Sequence, residues 1–326
     1  MCSYKSKGFV LTLVVAASLV LSACAAPTPQ VVEKPVVQTV VVEKVVEKPV
    51  VQTVVVEKQV VVMPTVAAPT APACQPALQP PTILRPGKLI MSINATIPPV
   101  QYIDEKGNLQ GMRVELGEEI ARRLCLEPEW VNIQFDAMIP GLQGKRWDMI
   151  NTGLFYTEER AQIMELVPYE LQAISISVPK GNPQNIQKLE DLAGKVVGVE
   201  MAGYEERQIR AINDAQVAKG LKAMDIRTFS TFADAYQALR AGQLDAVTSV
   251  DATAKFYQDR GDFERALWGI AGSPASLATL NTDLAKAVAN TLNEMLKDGY
   301  YDKLFDKWGV AKITGWDKWK GQFEVY

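Results

Sequence analysis

From Leu89 onward, short apolar runs that suit buried strands alternate with stretches whose apolar residues recur at helical spacing, which limits this part to an α/β architecture. Leu89-Ile90-Met91-Ser92-Ile93 reads as a buried strand. Met112, Leu116, Ile120 and Leu124 share one face and predict an amphipathic helix over Gly111 to Leu124. Asp148-Met149-Ile150 reads as a short strand, and Thr157 begins a helix with Glu158 and Glu159 in its first turn, where acids suit the dipole. Ile174 to Val178, Lys195 to Glu200, and Asp245 to Thr248 read as strands. Ala233 to Leu239 reads as a helix closed by Gly242. Leu284, Val288, Leu292 and Met295 mark a long helix that ends near Gly299, and Tyr300 to Trp308 a final short one. This part holds roughly 240 residues, enough for two lobes of ~100–130 each.

The chain before Gly87 has a different character. Lys5 and Lys7 precede an almost wholly apolar run from Phe9 to Leu21, and Leu21-Ser22-Ala23-Cys24 closes it. That is the layout of a secretory signal. With a cysteine at the cleavage point it resembles a bacterial lipoprotein signal, in which Cys24 takes the lipid; the plainer readings are an ordinary signal peptide or a single membrane helix. A membrane span needs ~20 apolar residues, and this run is shorter. Residues 1–23 are therefore expected to be a signal and 24–87 a lipidated tether. Within the tether Val32 to Lys44 recurs from Val46 to Lys58, with Pro35 and Pro49 discouraging helix and central strand. Fully extended, ~60 residues reach on the order of 200 Å.

Composition narrows the chemistry. The 326 residues include no histidine, which removes histidine-based nucleophilic pairs and the commonest zinc ligand. A net charge of −3 without a long basic run gives no case for nucleic acid. Gly194-Lys195 lacks the upstream spacing of a phosphate loop and reads as a turn. Cys2 leaves with the signal and Cys24 takes lipid, so Cys74 and Cys125 remain. In an oxidising compartment they are expected to pair; the alternative is two unpaired thiols.

An ordered set of landmarks then points to a family. Pro98-Pro99, Asp104, Gly107 and Gly111 are followed by Ile139-Pro140-Gly141-Leu142, Trp147-Asp148, and Thr152-Gly153-Leu154-Phe155-Tyr156-Thr157-Glu158-Glu159-Arg160. Pro168-Tyr169, Asp191 to Val199, Ala241 to Ala246, Asp298-Gly299-Tyr300 and Lys307-Trp308-Gly309 complete it. Residues 88–320 thereby resemble the extracytoplasmic solute-binding proteins of ABC importers, family 3, the polar amino-acid type. The resemblance implies a two-lobed, periplasmic-binding-protein-like (type II) α/β fold with two hinge crossings. The crossings should fall near Tyr169–Ala173 and Leu267–Ala271, giving lobe one as 88–171 plus 268–326 and lobe two as 172–267. Ligand would close between the lobes.

The same resemblance places residues at the ligand. Arg160 would hold a ligand carboxylate in its planar fork, Phe135 would stack on the ligand, and the Gly153 backbone would approach the ligand amine. The bland readings are a surface arginine, a core phenylalanine and a tight turn. Several positions depart from the family: Phe155 replaces a pocket hydroxyl, Ile97 an aromatic, and Asn94 falls where some members carry a second acid. Ala202-Gly203 stands where a hydroxyl-bearing pair is usual, with Tyr204 next. Val250 replaces the acid that takes the ligand ammonium, and Asp251 lies one place later, as a displaced ligand or a helix cap. Glu205 and Glu206 have simple capping as their plain role. The pocket should be less polar than is usual in the family.

The expected function is that of a membrane-anchored substrate-binding component. It would capture a small carboxylate-bearing solute, most simply an amino acid, for an ABC transporter permease. It would act as a monomer outside the cytoplasm, without cofactor, metal or nucleic acid. The alternatives are a solute-sensing lipoprotein for a signalling partner and a dehydratase-type enzyme on the same fold.

Overall fold

The computed structural model describes residues 74–326. The expected signal, Cys24 and the tether repeats lie outside the described residues. The first half of the fold carries β1 (Lys88–Ile93), β2 (Thr96–Ile97), β3 (Gln101–Ile103), β4 (Leu109–Gln110), α1 (Met112–Arg123), β5 (Glu127–Asn132), α2 (Met138–Gln143), β6 (Met149–Phe155) and α3 (Glu158–Ala161). A long strand, β7 (Glu165–Val178), leads into β8 (Val196–Glu200), α4 (Tyr204–Ala218), β9 (Asp225–Phe229), α5 (Phe232–Arg240), β10 (Ala246–Val250) and α6 (Asp251–Asp259). A second long strand, β11 (Glu264–Thr279), returns to α7 (Thr282–Lys297) and α8 (Tyr300–Trp308).

Eight strands form one sheet in the order β5-β1-β6-β11-β7-β10-β8-β9, and β2, β3 and β4 form a small second sheet. β1 runs parallel to β5 and β6, and β8 parallel to β10 and β9. Parallel strands are covered on both faces, so β1 and β6 are buried almost throughout, although β6 carries Asn151 and Thr152 at its centre. Met112, Leu116 and Ile120 point into the core from α1, as their spacing predicts. Gly111 opens that helix at φ 128°, and a Cβ there would meet the Val100 carbonyl oxygen at 2.4 Å, so only glycine fits.

β7 and β11 are the two crossings of a two-lobed type II binding fold. The sequence suggests strand only from Ile174, yet β7 already pairs with β11 from Glu165. The sequence does not mark β11 as a strand, because Gly269, Gly272 and Pro274 punctuate it. Its register against β7 shifts between Leu267 and Ile270 and again between Ile270 and Ser273, and Gly269 and Ala271 sit at φ 71° and 48°. Such bulges sharpen local twist, and here they fall where one half of the sheet gives way to the other. The chain after α8 then lies along the hinge edge of β7, with Leu171 donating its backbone N–H to Ala311 at 3.1 Å.

One large apolar cluster runs through both halves, from Leu89 and Met91 to Phe232 and Val247, and each half also has a smaller cluster of its own. Ile90, Trp147, Ile150, Leu154 and Leu166 pack together in the first, and Ile176, Val178, Val197, Val199 and Ile209 in the second. Cys74 and Cys125 are joined through sulfur with Cα atoms 5.5 Å apart, tying the start of the described chain to the turn after α1. Among the described residues no helix is long and apolar enough to cross a membrane.

Candidate functional site

The ends of β1, β6 and β8 converge. Asn94 follows β1, and its Nδ2 donates to Oε1 of Glu200, the last residue of β8, at 2.8 Å across 106 positions of sequence. Phe155 ends β6 and stacks on Tyr204, the first residue of α4, with centroids 4.5 Å apart and rings 18° from parallel. The Arg207 guanidinium of α4 reaches Glu159 of α3 at 2.6 Å. These contacts close a cleft between the two halves at the carboxyl ends of strands, where ligands of open α/β sheets bind.

Arg160 lies at its centre. Thr157 caps the short helix α3 by accepting the backbone N–H of Arg160, which fixes the arginine in the first turn. The side chain folds inward until it is 7% exposed. Nη1 donates to the Phe155 carbonyl at 2.7 Å, and the guanidinium rests 5.8 Å from the centre of the Phe135 ring. No carboxylate among the described residues lies within ion-pair distance. Burial, then the nearby Arg207, lower its pKa to about 10, while Glu205 opposes the shift.

Two buried acids lie on the second half, Glu205 near this cation and Glu200 beside Glu205. Burial raises the Glu205 carboxyl to about 7. Burial, then repulsion from Glu205, push Glu200 well above the usual carboxylate range. Neighbouring acids thus divide. Glu206 accepts from the Ala202 N–H and from Arg210, as a capping residue does, whereas Glu205 is enclosed in the cleft. Gly203 permits this, since a Cβ there would meet Glu205 Oε2 at 2.6 Å.

The expected residues do not all gather at one point. Asn94, Phe135, Phe155, Arg160, Gly203 and Tyr204 line or brace the cleft. Ile97 is packed in the apolar core with Val100 and Met112. Val250 is likewise core. Asp251 opens α6, but its Oδ1 accepts from the Ser175 hydroxyl and the Gly269 N–H, on the hinge. At Gly153 the missing side chain makes room for another group, since a Cβ would meet Arg113 Nη1 at 2.8 Å.

Arg113, Glu200 and the burial of Glu205 went unread in the sequence. The signals were an arginine beside the apolar stripe of α1 and an acid ending an otherwise apolar strand. Arg113 donates through Nε and Nη2 to Glu170 Oε2 at 3.0 and 2.9 Å, and through Nη1 to Gln101 at 3.0 Å. Burial is the largest influence and opposes its charge, but Glu170 and Tyr169 together outweigh it and hold its pKa above the ordinary value.

The family model for bacterial extracellular solute-binding proteins, family 3, matches residues 89–311. The L-cystine-binding protein of Escherichia coli (strain K12) is 30% identical over 233 residues, covering 70% of this chain and 85% of that protein. An ancestral arginine-binding protein solved with arginine superposes with a TM-score of 0.63 at 33% identity, covering 68% of this chain and 98% of that one. An ancestral amino acid-binding protein described as a precursor of cyclohexadienyl dehydratase gives a TM-score of 0.62 at 29% identity, over 68% and 95%.

Proposed function

The chain belongs to the bacterial extracellular solute-binding proteins, family 3, and we propose that it closes its two lobes on a small carboxylate-bearing solute, most simply an amino acid, with the carboxylate on Arg160. The observation that carries this reading is a buried guanidinium with no carboxylate partner among the described residues. A ligand carboxylate supplies the missing charge, and the planar fork of arginine can hold both its oxygens. Phe135 stacks beneath the guanidinium, while Phe155 and Tyr204 cover the ligand on closure. Glu205 and Glu200 receive its ammonium or another donor. The proposed lobes are 88–171 with 268–326, and 172–267.

The setting belongs to the same proposal. Cys24 carries lipid, residues 24–87 tether the binder to the membrane, and the cargo passes to an ABC permease. Relatives named for arginine, histidine and cystine support an amino-acid cargo. A thermal-shift screen of amino acids and related acids, followed by calorimetry on Arg160→Met, tests the site. Unchanged affinity in that variant removes Arg160 from it. Adjacent permease and ATPase genes would favour import, and an adjacent histidine kinase gene a sensing role.

One observation favours a second reading. A buried acid with a pKa of about 7 beside a cation suits general acid catalysis, and one structural neighbour is a dehydratase precursor. Turnover of prephenate or arogenate by the purified protein would establish it.

A further inference from the structure

The family match ends at residue 311, and residues 312–326 lie beyond it. They run as a strap along the first half, pinned at several points. Beside the hinge, Lys312 bridges to Glu170 of β7 in antiparallel sense. Ile313 is fully buried at the start of a single 3-10 turn and donates its N–H to the Tyr301 hydroxyl of α8 at 3.0 Å. Phe323 exchanges two hydrogen bonds with the Asn293 side chain of α7, at 2.7 and 2.9 Å. Tyr326 and Leu166 of β7 exchange both backbone bonds, at 2.8 Å each.

Between these points the strap's side chains converge on Tyr156 and Glu158. The ring centres of Trp316 and Tyr326 lie 5.3 and 5.7 Å from that of Tyr156, and 5.2 Å from each other. The Lys318 ammonium lies 5.0 Å from the centre of the Tyr156 ring and pairs with the Glu158 carboxylate. The Tyr156 hydroxyl donates to that carboxylate at 3.1 Å. The residues on either side of Tyr156 are the ones that fix Arg160. Phe155 supplies the carbonyl that accepts from Nη1, and Thr157 supplies the capping hydroxyl. Among the described residues no hydrogen bond or ion pair joins the strap to Arg160 itself.

α3 has four residues, too few for a helix to hold its shape alone, so its surroundings must keep it in place. We propose that residues 312–326 are a positioning strap for Arg160. By holding Tyr156 and Glu158 they fix the Phe155 carbonyl and the Thr157 cap, and through these the inward pose of the guanidinium. Trp316 and Tyr326 are the positioning residues, and they raise ligand affinity without touching ligand. This rests on the reading of Arg160 as the carboxylate anchor.

The test uses the full chain with Trp316→Ala, Tyr326→Ala and the conservative Trp316→Phe and Tyr326→Phe. Hydrogen exchange read by mass spectrometry reports on residues 155–164 in the unliganded protein. Isothermal titration uses whichever standard L-amino acids shift the melting of the wild type, at a temperature well below the melting of every variant. Each alanine variant should show faster exchange in that segment, while lobe two keeps its wild-type rates. Affinity should fall roughly three- to tenfold, the value of one or two aromatic contacts. The phenylalanine variants should restore both. If Trp316→Ala does not fold, Tyr326→Ala, half-buried at the chain end, carries the test. A lower melting temperature with wild-type exchange in 155–164 overturns the strap and leaves it a merely structural segment. So does unchanged affinity in the alanine variants where Arg160→Met loses binding. If Arg160→Met also binds as the wild type does, or if no amino acid binds the wild type, the anchor reading fails instead, and faster exchange in 155–164 alone then decides whether the strap holds α3.

Discussion

Two guanidinium groups are buried among the described residues, in opposite electrostatic situations. Arg113 is fully enclosed and gives Glu170 two hydrogen bonds, with Gln101 taking a third. Arg160 is almost as deep but meets only a backbone carbonyl and the face of a phenylalanine. Burying an ion is expensive, and attraction to a well-placed opposite charge offsets much of that. Arg113 has its partner within the chain, so its charge belongs to the architecture beside the hinge. Arg160 has none among the described residues, which is the basis for proposing a ligand carboxylate there. The pKa directions agree: Arg113 is raised and Arg160 lowered.

The sharpest way to break this contrast is to substitute each region in turn. Glu170→Gln should destabilise the protein by roughly 3–5 kcal/mol, because it strands the Arg113 charge in the interior. Denaturant unfolding would read this directly, and a loss below about 1 kcal/mol would place Arg113 in the same class as Arg160. Arg160→Met should leave stability unchanged or higher, since it removes an uncompensated buried charge, yet lower carboxylate affinity by roughly 2–4 kcal/mol in calorimetry.

A third prediction concerns pH. In the unfolded chain Glu205 titrates near 4.5, and in the folded chain at about 7. Its folded pKa is raised, so its contribution to stability is fully present below about 4.5 and is lost as pH rises towards about 7. The loss amounts to about 3 kcal/mol. Glu205→Gln should therefore gain stability over the wild type across that window. Parallel denaturation curves for the two proteins would show a constant difference if Glu205 were not buried. Glu200 is shifted in the same direction and adds slope that this substitution leaves in place.

Smaller effects should come from the contacts that close the cleft. Tyr204→Leu keeps apolar bulk but removes the stack on Phe155, and should cost about 1 kcal/mol in unfolding experiments. Glu159→Gln breaks the pair with exposed Arg207, and its melting temperature should be indistinguishable from that of the wild type, because exposed pairs contribute little. A large effect there would mean that closure depends on the rim rather than on the buried groups.

Much of the fold was legible because its signals are local. β1, α1, α7 and α8 lie where apolar spacing places them, and Thr157 opens α3 as a cap should. Asn94, Phe135, Phe155, Arg160 and Tyr204, singled out through the resemblance, lie near one another in the fold, and whether they hold ligand is part of the proposal. Asp251 and Ile97 show the limit of position alone. Asp251 sits one place beyond Val250, and its carboxylate turns to the hinge; Ile97 faces the core. β11 was hidden by its own glycines and proline, and it is those same residues that let it bend.

Chain order and apolar spacing by themselves determined β1, α1, α7 and α8, an α/β class, and a helix behind Thr157 that carries Arg160 in its first turn. Burial patterning is a property of neighbours along the chain, so it survives in one dimension. Tertiary structure alone decided which charges are spent and which are free. Arg113 meets Glu170 across 57 positions and Asn94 meets Glu200 across 106, while Arg160 pairs with no acid among the described residues. The state of a buried charge depends on distance and desolvation in space, and neither is fixed until the lobes have folded and met.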